Sequence, residues 1–170
     1  MQNDISADAC NAILEMRCCN RTPRAPYRGI RRWTTRWLTC RGACAGTDVL
    51  QEYFVPQARF AEFVDGLRTI IDRERVNLLN VTIRGVERDS ISALPYATQD
   101  SFALVLYLHQ ALTLEDCRAM VRTTRALIDL AIRMGGRFCL PYQLYYSPAQ
   151  LRAAYPGISA FFAAELRYDP

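Results

Sequence analysis

Leu79-Asn80-Val81-Thr82-Ile83-Arg84 and Phe102-Ala103-Leu104-Val105-Leu106-Tyr107-Leu108-His109 are the two runs whose reading decides the fold. In the first, Leu79, Val81 and Ile83 alternate with Asn80, Thr82 and Arg84. Side chains of a strand point alternately to opposite faces, so one face is apolar and the other carries an amide, a hydroxyl and a guanidinium in a row. The second run is apolar on both faces until Tyr107 and His109 add polar tips to one of them. The pair reads as part of a sheet with one dry face and one selectively polar face.

Outward from these strands the elements fall in a simple order. Val49–Val55 reads as a strand closed by Pro56. Phe60, Phe63, Val64, Leu67, Ile70 and Ile71 then form a stripe at a period of about 3.6 residues, the mark of an amphipathic helix. That stripe is expected to cover the Leu79, Val81 and Ile83 face. Residues 87–100 are polar, contain Pro95 and read as a long loop. Thr113-Leu114-Glu115-Asp116 resembles a capping box, opening a helix to about Met134 that buries Cys117, Met120, Val121, Leu127, Ile128 and Ala131. Gly135-Gly136 ends it. A last strand is expected over Phe138–Tyr146, at a sheet edge or bulged because of Pro141. Ser147-Pro148 starts a short helix through Tyr155, and another follows across Ile158, Phe161, Phe162 and Leu166. The order β-α-β-β-α-β predicts an α+β, ferredoxin-like antiparallel sheet with both helices on one face, plus C-terminal helices.

Composition narrows the function classes. The chain has 170 residues, 51% of them hydrophobic, which suits one domain with a sizeable core. No apolar run approaches the roughly 20 residues that span a bilayer, and the N-terminus has no secretion pattern, so a cytoplasmic protein without membrane partners is expected. The net charge is +4, and all 21 basic residues are arginine. Eight arginines against three acids lie in residues 1–46, which also hold five of the seven cysteines. This segment shows no sustained period beyond a short helix candidate at Asp8–Arg17, and it reads as an irregular or foreign leader. Cys18-Cys19 and Cys40-x-x-x-Cys44 lack both a C-x-x-C pair and a nearby histidine, so no metal is assigned. Arg31, Arg32, Trp33, Arg36 and Trp37 interleave basic and aromatic side chains, but no folded scaffold is evident around them, and no nucleic-acid partner is assigned.

Leu50-Gln51-Glu52-Tyr53-Phe54-Val55-Pro56, Asn80-Val81-Thr82-Ile83-Arg84, Leu140-Pro141-Tyr142-Gln143-Leu144 and the closing Tyr168-Asp169-Pro170 together resemble one family. It is the C-terminal, substrate-side domain of FAD-dependent oxidoreductases of the vanillyl-alcohol-oxidase type, nearest the D-arabinono-1,4-lactone and alditol oxidases. The resemblance covers about 47–170 and leaves out the leader. It implies that the sheet roofs a flavin held by a separate FAD-binding domain absent from this chain, that the substrate is a small polyol or lactone, and that hydride passes from a C–OH carbon to the flavin. The chain by itself is then a fragment that does not hold FAD strongly.

The resemblance further implies that Arg84 matches the family's active-site arginine. Thr82 stands where the alditol oxidases have a glutamate, and Gln143 lies near the position of a family lysine. An arginine on such a strand can stabilise developing negative charge but cannot act as a base. The candidate catalytic residues are Arg84, Thr82 and His109, with Arg84 also the candidate cofactor contact. Asn80, Tyr107, Tyr142 and Gln143 are the candidate substrate contacts. Each has a plainer alternative: Arg84 as a surface arginine paired with Glu87 or Asp89, His109 as a strand-end packing residue, and Tyr107, Tyr142 and Tyr145 as core aromatics. The rival function is a non-enzymatic ferredoxin-like module binding a ligand or RNA strand on the same face.

Overall fold

The computed structural model describes residues 46–168. The expectations for the leader, including its short helix, its cysteines and its arginine–tryptophan run, lie outside the described residues, as does the closing Asp169-Pro170.

Strand β1 spans Gly46–Pro56, followed by a single helical turn at Gln57–Arg59 and helix α1 at Phe60–Glu74. Strands β2, Asn77–Val86, and β3, Ser101–Ala111, flank the long loop. Helix α2 spans Leu114–Arg133, β4 is Arg137–Phe138, α3 is Pro148–Ala154 and α4 is Ile158–Tyr168. All pairings are antiparallel, in the order β2-β3-β1-β4. This is an α+β fold with a four-stranded sheet, compatible with the ferredoxin-like arrangement that the element order predicts.

The core lies between the helices and the two central strands. Tyr53 and Val55 of β1 and Leu104, Leu106 and Leu108 of β3 are buried against Phe63, Leu67 and Ile70 of α1 and against Cys117, Leu127 and Ile128 of α2. The remaining α1 stripe residues, Phe60, Val64 and Ile71, pack against this cluster half-buried. One polar network crosses the interface: Tyr53 Oη donates to Gln51 Oε1 at 2.5 Å, and Gln51 Nε2 donates to Thr124 Oγ1 of α2 at 2.5 Å. These bonds satisfy groups whose burial would otherwise be costly.

The caps follow the sequence. Thr113 accepts from the Asp116 amide at 3.1 Å, and its hydroxyl donates to the Asp116 carboxylate. Ser147 and Gln150 form a reciprocal capping box, with Pro148 in the first turn of α3. After α2, Gly135 takes φ +73° and the Gly136 amide returns to the Ala131 carbonyl at 2.8 Å, the left-handed termination expected of glycine.

Two expectations are corrected. Helix α1 does not cover Leu79, Val81 and Ile83. A bulge between Leu78 and Asn80 takes Leu79 out of the ladder, and β2 is the sheet's edge strand, beyond the core that the helices build over β1 and β3. Val81 packs against the core half-buried, while Leu79 and Ile83 remain 49% and 51% exposed. The expected strand at 138–146 shrinks to Arg137–Phe138. The Cys139 amide still reaches the Glu52 carbonyl at 2.9 Å, but Pro141 has no N–H to continue the ladder. The chain then turns, and Arg125 Nε holds the Tyr145 carbonyl at 2.8 Å.

Among the described residues no helix is long and apolar enough to cross a membrane.

Candidate functional site

The face of the sheet away from the helices is built by alternation. On β1 it carries Asp48, Leu50, Glu52 and Phe54; on β3, Ala103, Val105, Tyr107 and His109; on β2, Asn80, Thr82 and Arg84. The register places Arg84 beside Ala103 and Phe54, Thr82 beside Val105 and Glu52, and Asn80 beside Tyr107 and Leu50. The polar row read from β2 therefore does lie on the open face.

Its centre is a carboxylate that the motif reading did not single out. Glu52 sits on a central strand with only 5% of its side chain exposed, and it accepts a hydrogen bond from Arg84 Nη2. Arg84 itself is 57% exposed, so its remaining N–H donors stay available on the open face. Neither Glu87 nor Asp89 is its partner. The Asp89 carboxylate instead accepts from the Ile91 and Ser92 amides, and a hydrogen bond with the Ser92 side chain, followed by these two amide bonds, holds its pKa below the usual carboxylate range.

Three side chains enclose Glu52. Tyr96, delivered by the long loop, stacks on Phe54 with ring centroids 5.0 Å apart. Tyr142 and Cys139 come from the segment after β4. Burial, and after it the Glu52 charge, pushes the Cys139 thiol up to about 11 and raises Tyr142 above the ordinary phenol. Tyr96 is raised chiefly by burial, with Cys139 and Glu52 adding to it. Gln143 lines the same small cavity, together with Glu52, Cys139 and Tyr142.

A second polar cluster lies at the far end of the face. Tyr107 Oη donates to Asp48 Oδ2 at 2.7 Å, which raises the Tyr107 pKa, and His109 Nδ1 lies 2.7 Å from Asp48 Oδ1. With Nδ1 bonded to the carboxylate, Nε2 is the acceptor position of a neutral ring. Arg84 pairs with Ala103 and His109 is six residues further along β3, about 20 Å at roughly 3.3 Å per residue. The structure thus groups Arg84, Tyr142 and Gln143 around Glu52, leaves Thr82 about two strand spacings from Glu52, and separates His109 and Tyr107 from Arg84 along the strand, with Asn80 level with Tyr107. Tyr145 is buried in the core.

Glu52 had a signal in the chain, as an acid in an apolar strand and in phase with Asp48. Recognising its role requires the strand order, which puts β1 within reach of β2 across β3. Tyr96 and Cys139 carry no local signal, since a loop and a turn bring them in.

Cys139 gives a direct test of the enclosure. At pH 8 a thiol titrating near 11 is about 0.1% thiolate, against roughly a quarter for an ordinary cysteine. Alkylation by iodoacetamide, followed on the Cys139-containing tryptic peptide, is expected to run about two-hundredfold slower than for a free thiol and to rise about tenfold per pH unit towards pH 11. The unfolded thiol loses its proton at about 8.5 and the folded one at about 11, so this contribution to stability is full below about pH 8.5 and lost as the pH rises from there through 11. Labelling at pH 8 as fast as that of free cysteine would show the site to be open.

The cavity beside Glu52 has a volume of about 10 Å³, room for about one water. Among the described residues no helix is opened by a glycine-rich turn: α1 follows Pro56-Gln57-Ala58-Arg59, α2 follows Leu112-Thr113, α3 follows Tyr146-Ser147 and α4 follows Pro156 and a single glycine, Gly157. Among the described residues no group of three or more histidines, cysteines or acids could hold a metal ion. No family model, curated protein or solved structure matches the chain.

Proposed function

We propose that the open face of this sheet is the substrate-side wall of an FAD-dependent oxidoreductase of the D-arabinono-1,4-lactone or alditol oxidase kind, with the flavin held by protein other than residues 46–168. The observation that carries this reading is the Arg84 guanidinium, presented on the open face and oriented by the buried Glu52 carboxylate. The reaction is oxidation of a C–OH carbon, with FAD as hydride acceptor.

The chain's own part is to bind and orient. Arg84 keeps donors free for the oxygens of a polyol or lactone and favours negative charge there. It remains protonated throughout, so it takes no proton. Thr82 and Asn80 extend the row of hydrogen-bonding groups along β2, and Tyr142 and Gln143 border it. Glu52 stands in for the glutamate that the alditol oxidases carry at the position of Thr82, reaching Arg84 from β1 instead of from its own strand.

The test is ligand binding read at the guanidinium. In the ¹⁵N-labelled chain, millimolar D-arabinono-1,4-lactone or xylitol is expected to shift the Arg84 Nε–H signal and the backbone amide signals of β2, and Arg84→Gln is expected to abolish the amide shifts. Titration with FAD is expected to give no stoichiometric complex. Absence of any shift with either substrate class refutes the substrate assignment, and tight one-to-one FAD binding refutes the divided architecture.

A further inference from the structure

We propose that two copies of this chain join edge to edge through β2, residues 80–84 pairing antiparallel with the same residues of the second copy about a two-fold axis at Thr82. The two edges of the sheet are unequal. On one side β4 covers β1, and Cys139 continues its pairing. On the other side β2 runs from Asn77 to Val86 with no proline; its one charge is Arg84 and its bulge, at Leu78/Asn80, leaves residues 80–84 regular, and among the described residues no strand lies beyond it. A row of backbone donors and acceptors on such an edge is a template for another strand. Ile83, on the helix side of this edge, is half exposed where a partner strand would cover it.

The second copy is the occupant that the side chains fit. Antiparallel self-pairing must match faces, because a one-residue slip sets Ile83 against the polar row. Centred on Thr82, the register puts Ile83 opposite Val81 of the second copy, and its mirror-image pair does the same. On the open face it puts Arg84 opposite Asn80 of the second copy, whose side-chain carbonyl suits a guanidinium with donors to spare. A register centred on Ile83 would make the two Arg84 side chains diagonal neighbours. Centred on Thr82, they stand four residues apart along the strands, about 13 Å. The pairing leaves the open face uncovered and continues it across the axis; it draws on Arg84 and Asn80, which the proposed function also uses, and its test reads association and not ligand binding.

The contact is a strand and a few side chains, at the small end of specific interfaces, so a concentration-dependent dimer is expected. Sedimentation equilibrium of the full chain under reducing conditions is expected to show a monomer–dimer equilibrium. Ile83→Arg, at a half-exposed position that leaves the core intact, is expected to raise the dimer dissociation constant at least about tenfold, because symmetry removes two cross-strand pairs at once. Its circular dichroism melt should match wild type. The Thr82→Cys variant, once oxidised, is expected to yield a disulfide that joins two copies of the tryptic peptide 76–84 through the substituted position, since that peptide contains no native cysteine. A wild-type chain that stays monomeric, as it would with its own leader or a foreign strand on this edge, overturns the proposal. So does a dimer that Ile83→Arg leaves unchanged, or one in which Thr82→Cys gives no cross-linked peptide.

Discussion

Gly136→Ala is expected to melt far below wild type, whereas Gly85→Ala is expected to melt with it. A β-carbon at Gly136 would stand 2.4 Å from the Phe54 carbonyl oxygen, 3.1 Å from the Ala131 carbonyl oxygen and 3.3 Å from the Val55 α-carbon. All three are backbone atoms, and two belong to β1, a central strand of the sheet. A side chain could swing aside; a paired strand yields only by breaking its ladder. Overpacking of this kind costs about 3 kcal/mol or more, which in a domain of this size lowers Tm by roughly 10 °C. The Gly85 β-carbon, on the edge strand, would meet nothing within 4 Å, and alanine there is expected to change stability by less than about 1 kcal/mol, in the stabilising direction. Gly135 is intermediate: its φ of +73° strains alanine by about 1 kcal/mol without any clash. Thermal melts of the three variants check the order, and a Gly136→Ala protein that melts like wild type would remove the argument that close approach to β1 requires this glycine. Because Gly136 leads directly into Arg137, Phe138 and Cys139, the same substitution is expected to speed Cys139 alkylation at pH 8.

How much of this was legible in the chain depends on the range of the interactions involved. The α1 stripe, the α2 cap at Thr113 and the α3 cap at Ser147 are decided within one or two helical turns, and they stand where the spacing puts them. The alternation in β2 correctly separates Asn80, Thr82 and Arg84 from Val81 and Ile83. It does not reveal that β2 is an edge strand, nor that a bulge removes Leu79 from the pattern, so the apolar side looked more buried than it is. The strand at 138–146 failed for a local reason as well: apolar and aromatic residues suggested pairing, but Pro141 removes the donor that a ladder needs, and the segment serves as a wall beside Glu52. The site divides in the same way. Arg84 can be read on its own strand, yet its carboxylate partner comes from a strand two positions away in the sheet, 32 residues earlier in the chain. Its enclosing aromatics arrive from a loop and a turn. Tyr107 and His109 look like companions of Arg84 in the sequence because they share its face, but strand rise separates them from it.

Arg84→Ala is expected to destabilise the fold more than Glu52→Gln, and the double variant is expected to behave like Glu52→Gln alone. A simple count of ion pairs predicts otherwise, since either substitution breaks the same pair. The asymmetry comes from burial. Glu52 is 5% exposed and Arg84 57%, so removing the guanidinium strands a carboxylate with little access to water, while removing the carboxylate returns an arginine to solvent. An orphaned buried charge costs about 1–3 kcal/mol, here towards the lower half because water reaches the arginine side of the pair. Glutamine at position 52 keeps the shape and accepts a neutral hydrogen bond, so its cost is expected to stay below about 1 kcal/mol. In the double variant the stranded charge no longer exists, and the Arg84→Ala penalty should largely vanish, giving a coupling of about 1 kcal/mol in a double-mutant cycle measured by urea unfolding. Equal penalties for the two single variants, or additive ones in the double, would mean that Glu52 is not held by Arg84, and the open face would lose the oriented guanidinium on which substrate binding is proposed to depend. Glu52→Gln separates stability from recognition: the fold should survive, while the Arg84 Nε–H signal loses its fixed position and its response to lactone weakens.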